Sequence, residues 1–376
     1  MIIKIKQSNI SKIRCQEKIK SIMLVNQNKT DIKKLSSKQL ALWLKDNGIE
    51  PYRSAQILKW IYFKQADSFD IMTNLSKEFR KLLSLNFSIK RLEKVATKKS
   101  QDGSIKYLFS LEDKNHIESV LIPEKDHYTL CISSQVGCAQ GCSFCLTAKD
   151  GFIRNLTKDE IVSQVRDIKK DHAGPKPVTN IVFMGMGEPL ANYENVIAAV
   201  HTILDNDFGL GFSSRRVTIS TAGLVPKLSN LGNELAVNLA VSLNATENET
   251  RSMLMPINRK YPIDKLLDAC RRYHLKPRKR ITFEYILLKG INDSSEDAHR
   301  LVKLLRPIRA KINLIPFNEY KESPFKRPEE SIVNGFLEIL HSKGCTAIVR
   351  HSKGHDICAA CGQLRAKVSN HKVPDI

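Results

Sequence analysis

The sequence predicts an α/β protein in which a partial parallel (β/α) barrel follows a small N-terminal helical domain. Two patterns carry this expectation. Six apolar runs rich in β-branched residues read as buried parallel strands: "VTNIVFMGMGEP", "RRVTISTAG", "LAVNLAVSLNA", "RITFEYILLKG", "KINLIPFN" and "CTAIVR". Amphipathic helical stretches lie between them, the grammar of a parallel barrel. Ahead of them the pattern is helical alone. At 376 residues and 42% hydrophobic, the chain can bury one large core and a smaller one.

In chain order, residues 1–34 hold nine Lys/Arg against two acids and are expected to be a basic, mobile extension. Residues 35–100 form the helical accessory domain. Ser36-x-x-Gln39 is a capping box and Gly48 a stop signal. A second helix covers about 54–65, and a third starts near Ser76 with Phe79, Leu82 and Leu83 at helical spacing. Residues 101–365 form the barrel and a C-terminal catalytic loop, and 366–376 a tail. Within the barrel, "LTKDEIVSQVRDI" opens on the capping box Thr157-x-x-Glu160 and puts Ile161, Val162, Val165 and Ile168 on one face. Polar or glycine residues gather where the strands end: Gly187-Glu188-Pro189, Ser220-Thr221, Ser242-Leu243-Asn244 and Asn318. In such barrels these C-terminal ends build the active site.

Sixty Lys+Arg against 39 Asp+Glu give a net charge of +21, which points to an extended polyanion partner, RNA or DNA. The helical domain, with Arg53, Lys59, Lys64, Arg80 and Lys81, and the run from Arg271 to Arg280 offer surfaces for it. No apolar stretch approaches the roughly 20 residues of a membrane span. The start "MIIKIKQSNISK" lacks the apolar core of an export signal, so a cytoplasmic, monomeric protein with reduced thiols is expected. Of nine cysteines, Cys15, Cys270, Cys345 and Cys358 are scattered and read as incidental.

Cys138, Cys142 and Cys145 are spaced C-x3-C-x2-C. A structural zinc ion wants four ligands, and no second pair lies nearby. A disulfide would leave one cysteine over. A cubane iron–sulfur cluster takes one thiolate per closed iron, so three leave the fourth iron open to a ligand with an amine and a carboxylate. The spacing, with Phe144 before the last cysteine, resembles the signature of the radical S-adenosylmethionine (SAM) enzymes. That resemblance implies a 4Fe–4S cluster on Cys138, Cys142 and Cys145. It also implies SAM contacts from Gly187, Glu188, Ser220, Ser242, Leu243, Asn244 and Asn318, with Glu188 accepting from the SAM ammonium.

A closer resemblance runs from about Lys38 to Leu364. "CISSQVGCAQGCSFC", "GFIRNLT", "FMGMGEPLANY", "RRVTISTAG", "RSMLMPINRKYPI", "NLIPFN" and "DICAACGQL" together look like the adenine-C2 RNA methyltransferases of the RlmN type. The resemblance implies action on 23S ribosomal RNA, at the peptidyl-transferase centre, and on an adenine beside the anticodon of some tRNAs. It implies two SAM molecules per turnover. One methylates Cys361; one-electron cleavage of the other gives a radical that takes a hydrogen from that methyl. The resulting carbon adds to adenine C2, Glu118 removes the C2 proton, and Cys131 attacks the Cys361 sulfur, leaving a transient disulfide. An electron donor such as flavodoxin or ferredoxin is implied. The family usually carries His where this chain has Asn244. The nearest alternative is the adenine-C8 rRNA methyltransferase of the antibiotic-resistance type. An alternative of another class is an RNA-binding protein with a purely structural cluster.

Overall fold

The computed structural model describes residues 29–172, 174–320, 323–360 and 362–365. The chain falls into two compact units, divided between Arg91 and Leu92. The first unit is mostly helical. Its helix α1 (Ser37–Asp46) starts at the Ser36/Gln39 capping box, both halves of which form, and Gly48 follows it at φ +69°. Helix α2 (Arg53–Leu58) runs into a π-helical turn, Lys59–Phe63. Ser76 caps α3 (Lys77–Asn86) by accepting from Phe79 N. Ile32, Leu40, Leu44, Ile57, Ile61, Met72 and Leu83 are fully buried between these elements. A short parallel pair, β1 (Thr30–Asp31) and β2 (Phe87–Ser88), joins the two ends of the unit.

Residues 1–28 of the expected basic extension lie outside the described residues, as does the tail 366–376. Residues 30–34 belong to the first unit instead: Asp31, Ile32 and Lys33 are buried, with the Lys33 ammonium 2.5 Å from the Asp31 carboxylate. The boundary also falls earlier than residue 100, because residues 93–99 already form a strand of the second unit's sheet.

That sheet has ten strands. Seven run parallel: β6 (Tyr128–Cys131), β9 (Val178–Phe183), β10 (Val217–Thr221), β11 (Asn238–Ser242), β12 (Ile281–Leu287), β13 (Ala310–Pro316) and β14 (Ala347–Val349). The six strands expected from the apolar runs are β9 to β14. Helices return the chain between most of them: α5 (Lys158–Asp171), α6 (Tyr193–Leu204), α7 (Val225–Glu234), α9 (Ile263–Arg272), α10 (Ser295–Leu305) and α11 (Glu330–Ser342). Two shorter helices, α4 (Leu146–Lys149) and α8 (Asn248–Leu254), sit above strand ends. The strand order is linear, so the barrel is partial. Beyond β6 the sheet continues as an antiparallel meander, β5 (His116–Pro123), β4 (Ile105–Ser110) and β3 (Glu93–Lys99), an addition that the strand-and-helix alternation did not suggest.

Helix α5 shows how the layers lock. Thr157 accepts from Glu160 N and Glu160 from Thr157 N, closing the expected capping box. Ile161, Val162 and Val165 are fully buried on its sheet-facing side. Between them Gln164, also fully buried, accepts from Ser119 Oγ and Ser133 N at 2.8 Å and donates to Ser133 O at 3.0 Å. One side chain thus ties α5 to β5 and to the turn after β6. Gln164→Leu would leave buried donors without acceptors. It is expected to destabilise the barrel by about 2–3 kcal/mol, measured as a lowered urea midpoint at constant denaturant slope.

Candidate active site

The cysteine loop is held by backbone. Two short strands, β7 (Gln135–Gly137) and β8 (Phe152–Asn155), pair antiparallel at its base, and Cys138 N donates to Gly151 O at 2.8 Å. Gly137 makes this approach possible: it sits at φ +74°, and a Cβ there would lie 2.0 Å from Gly151 O. Ser143 N donates to Leu254 O at 2.9 Å, at the end of α8, and Leu146 N to Gly362 O at 2.7 Å. Phe144 packs into a buried cluster with Ala222, Leu254, Met255, Leu288 and Phe317. The residue before the third cysteine is therefore the loop's apolar anchor.

Cys138, Cys142 and Cys145 line one cavity. Burial pushes all three thiols up, Cys138 to about 12, and for Cys138 and Cys142 neighbouring thiolates and Glu188 push the same way. Among the described residues no three His, Cys, Asp or Glu side chains converge as ligands of a single metal ion would. Three thiols on one cavity fit a 4Fe–4S cluster: soft donors suit iron–sulfur binding, and bonding to iron offsets the desolvation that disfavours their thiolates.

The same cavity is lined by the C-terminal ends of five neighbouring strands, through Phe183, Ser220, Ser242, Ile286 and Ile315. Only a curved sheet can wrap five adjacent strands around one space. Of the expected SAM contacts, Gly187, Glu188, Ser220, Ser242 and Asn244 line it. Glu188, 3% exposed, accepts from Ala222 N at 2.7 Å and Leu190 N at 3.0 Å, so its carboxylate is fixed by backbone donors while lone pairs remain. Burial nonetheless raises its pKa. Asn244 takes φ +57° and accepts from Ile286 N at 2.9 Å.

Leu243 and Asn318 are not in the lining. Leu243 is a fully buried core residue whose N–H donates to Glu284 O, and Asn318 donates to Ser352 Oγ at 2.8 Å. Thr221, named among the strand-end residues, lines it too; the sequence reading missed Gln140, Met255 and Glu284, which also do. Glu284 was legible in principle: two residues before Ile286 on β12, it shares that residue's face of the strand. Arg251 was missed too. Fully buried, its guanidinium donates to Leu243 O, Asn258 Oδ1, Ala222 O and Ser242 O at 2.8–3.1 Å, and burial lowers it to about 10.

Cys131 and Glu118 lie on adjacent strands. Cys131 ends β6, 7% exposed, and faces a second cavity rather than the first. Glu118, on β5, lines neither cavity. Its Oε1 lies 3.0 Å from Lys106 Nζ in a buried ion pair, and its Oε2 accepts from Arg365 N at 2.8 Å. Lys106 Nζ also donates to Cys358 O at 3.1 Å. Cys361 lies outside the described residues; of its neighbours, Ala360 lines the second cavity and Gly362 the first.

Comparison with known proteins follows the same division. The family model "Radical SAM superfamily" matches residues 132–302, and "Ribosomal RNA large subunit methyltransferase N-terminal domain" matches residues 30–89. The chain is similar to a dual-specificity RNA methyltransferase RlmN of Desulfosudis oleivorans, 57% identical over 94% of this chain and 95% of that one. It is similar to the protein of that description from Geobacter sulfurreducens, 54% identical over 90% of this chain and 92% of that one. Among solved structures, a radical SAM methyltransferase from Sphaerobacter thermophilus matches with a TM-score of 0.85 and 44% identity, covering 90% of this chain and all of that one.

Gly137→Ala should force the β7–β8 base apart. The expected outcome is a loss of at least about 2 kcal/mol in stability and reduced iron and sulfide per chain after anaerobic reconstitution.

Proposed function

The chain belongs to the radical SAM RNA methyltransferases of the RlmN family, and from that membership we propose the reaction and the residues that perform it. The substrate atom is carbon 2 of one adenine in 23S ribosomal RNA, at the peptidyl-transferase centre, and of an adenine next to the anticodon in some tRNAs. One observation carries the reading: a single cavity joins the three thiols of the C-x3-C-x2-C loop to Gly187, Glu188, Ser220, Ser242 and Asn244 at the strand ends. The similarity to dual-specificity relatives favours C2 over the C8 alternative.

Cys138, Cys142 and Cys145 would hold the 4Fe–4S cluster, which would supply the single electron that turns SAM into a source of a radical able to take a hydrogen from an unactivated methyl. Adenine C2 is electron-poor and does not attack the SAM methyl directly, so Cys361 carries the methyl first, as a thioether. Glu188 orients the SAM ammonium, and Ser220, Ser242 and Asn244 contact the remainder of the molecule. Once the Cys361 carbon is joined to C2, Glu118 takes the C2 proton, and Lys106 holds the Glu118 carboxylate until then. Cys131 attacks the Cys361 sulfur, and the S–S bond forms as that sulfur's bond to the RNA carbon breaks. The released carbon takes a proton to become the methyl. The odd electron left by the radical addition passes back to the electron-transfer centre, and an external thiol then reduces the disulfide. The first unit docks RNA through its basic surface. The enzyme works as a cytoplasmic monomer with a flavodoxin- or ferredoxin-type electron donor.

Incubated anaerobically with SAM, reductant and a 23S rRNA fragment, the reconstituted enzyme should yield 2-methyladenosine in a nucleoside digest analysed by mass spectrometry. 8-Methyladenosine would assign the C8 reaction instead. Release of 5′-deoxyadenosine without a methylated nucleoside would exclude that RNA as substrate. Cys131→Ala, lacking the resolving thiol, should accumulate a covalent protein–RNA adduct on denaturing gels. Normal turnover without adduct would remove Cys131 from the mechanism.

A further inference from the structure

Cys358, incidental by its scatter in the sequence, stands three residues before the methyl-carrying Cys361. Cys358-Ala359-Ala360-Cys361 is a C-x-x-C stretch, a spacing at which two cysteines bridge and exchange. The structure shows where its first half lies. Cys358 is a free, exposed thiol at the C-terminal cap of the 3-10 turn His355–Ile357. Its φ of +52° is strained for a residue with a side chain, and hydrogen bonds on both sides hold it there. Its N–H donates to His355 O at 3.1 Å, and its carbonyl accepts from Lys106 Nζ at 3.1 Å. From Cys358 the chain turns inward. Ala359 N donates to Gly354 O at 2.8 Å, and Ala359 and Ala360 are buried. Both line the second cavity, as Cys131 does; Asn180 and Asn238, from the N-terminal halves of β9 and β11, line it as well. The loop therefore runs from a thiol at the surface to the wall of the space that Cys131 faces. Access differs accordingly. Each turnover leaves Cys131 bonded to Cys361, and Cys131 is only 7% exposed. A dithiol carried on another protein needs a sulfur at the surface, and Cys358 offers one.

We propose that Cys358 is a relay thiol, which moves the disulfide from Cys131–Cys361 to Cys358–Cys361, where an external dithiol reduces it. The inference rests on the RNA-methyltransferase reading and adds how the enzyme is reset. The Cys358 thiolate attacks the Cys361 sulfur. A new S–S bond forms as the Cys131–Cys361 bond breaks, and Cys131 leaves as a thiolate and takes up a proton, with no net oxidation. The external dithiol then supplies two electrons, regenerates the Cys358 and Cys361 thiols and departs as its own disulfide. Cys358 does not replace Cys131 in the step that frees the RNA. A thiolate approaches sulfur opposite the bond it breaks, so the approach that expels Cys131 is not the one that expels the RNA carbon.

The test compares wild type with Cys358→Ser as full-length, anaerobically reconstituted enzyme, given SAM, a thiol-free one-electron donor and a methylatable RNA fragment. After a single turnover without external dithiol, the chain is quenched in acid, its free thiols are alkylated and its disulfides are mapped by mass spectrometry. Wild type should show the Cys358–Cys361 link beside Cys131–Cys361. The variant should show Cys131–Cys361 alone, with an unchanged first-turnover yield of methylated adenosine, which also verifies folding. In steady state, with a thioredoxin-type protein as the sole dithiol, kcat of the variant should fall about threefold or more. An excess of dithiothreitol, which needs no surface sulfur, should restore it. Wild-type enzyme carrying only the Cys131–Cys361 link, or a smaller fall in kcat, would overturn the assignment. A reduced first-turnover yield would do so as well, by showing a structural effect. Failure of the underlying reading is seen separately, as wild-type enzyme that forms neither methylated RNA nor a disulfide.

Discussion

Everything in this site depends on holding three thiols of one loop above the strand ends without closing the space in front of them. Backbone hydrogen bonds meet that constraint from three directions: the β7–β8 base at Gly151, the end of α8 at Leu254, and the C-terminal loop at Gly362. Side chains would have filled the cavity; amides and carbonyls leave it open. The one side chain the loop buries for anchorage is Phe144, which points into the cluster with Leu254 and Met255. The spacing C-x3-C-x2-C is thus the visible part of a device whose other parts are Gly137, Leu254 and Gly362, far apart in the chain.

Arg251 does for the strand ends what those bonds do for the loop. A guanidinium with no water around it needs its donors satisfied, and here carbonyls satisfy them: Ala222 after β10, Ser242 and Leu243 at the end of β11. Its planar fork fixes the spacing of two adjacent strand ends in a way that a lysine could not. The charge carries a burial penalty, reflected in its lowered pKa. Cys142 and Cys270 nearby favour the charged form and offset part of that penalty.

What could be read from the sequence follows from how local each signal is. The cluster cysteines were legible because their spacing is contiguous, and the Ser36/Gln39 and Thr157/Glu160 boxes because a capping box is complete within four residues. The six apolar runs gave β9 to β14. Of the meander, β3 was hidden because "EKVATKK" has almost no apolar face: it is an edge strand with mostly exposed side chains. Leu243 and Asn318 look like their strand-end neighbours in sequence, yet pleating turns Leu243 into the core, and Ser352 takes up the Asn318 amide. Arg251 in "ETRSMLMP" looks like a solvated helix residue, and its role appears only once β10, β11 and α8 are brought together. The second cavity has no motif at all, since it is made by the N-terminal halves of strands whose C-terminal halves carry the recognisable residues.

The meander then explains the C-terminal loop. That loop has little regular structure, and ordering each of its residues costs on the order of 1–2 kcal/mol. Contacts from opposite sides offset this. From the meander, Asp102 accepts from Gly354 N at 2.6 Å, Ser100 donates to Asp356 at 2.5 Å, and Lys106 donates to Cys358 O. From the thiol loop and the helix after it, Thr147 donates to Leu364 O at 2.6 Å, and Arg365 pairs with Asp150 at 2.9 Å. Glu118 belongs to both sets, joined to Lys106 on its own side and to Arg365 N on the loop's. Both of its oxygens are thus engaged, Oε1 by Lys106 Nζ and Oε2 by Arg365 N. The antiparallel strands outside the barrel therefore hold one side of the C-terminal loop while the thiol loop and the helix after it hold the other.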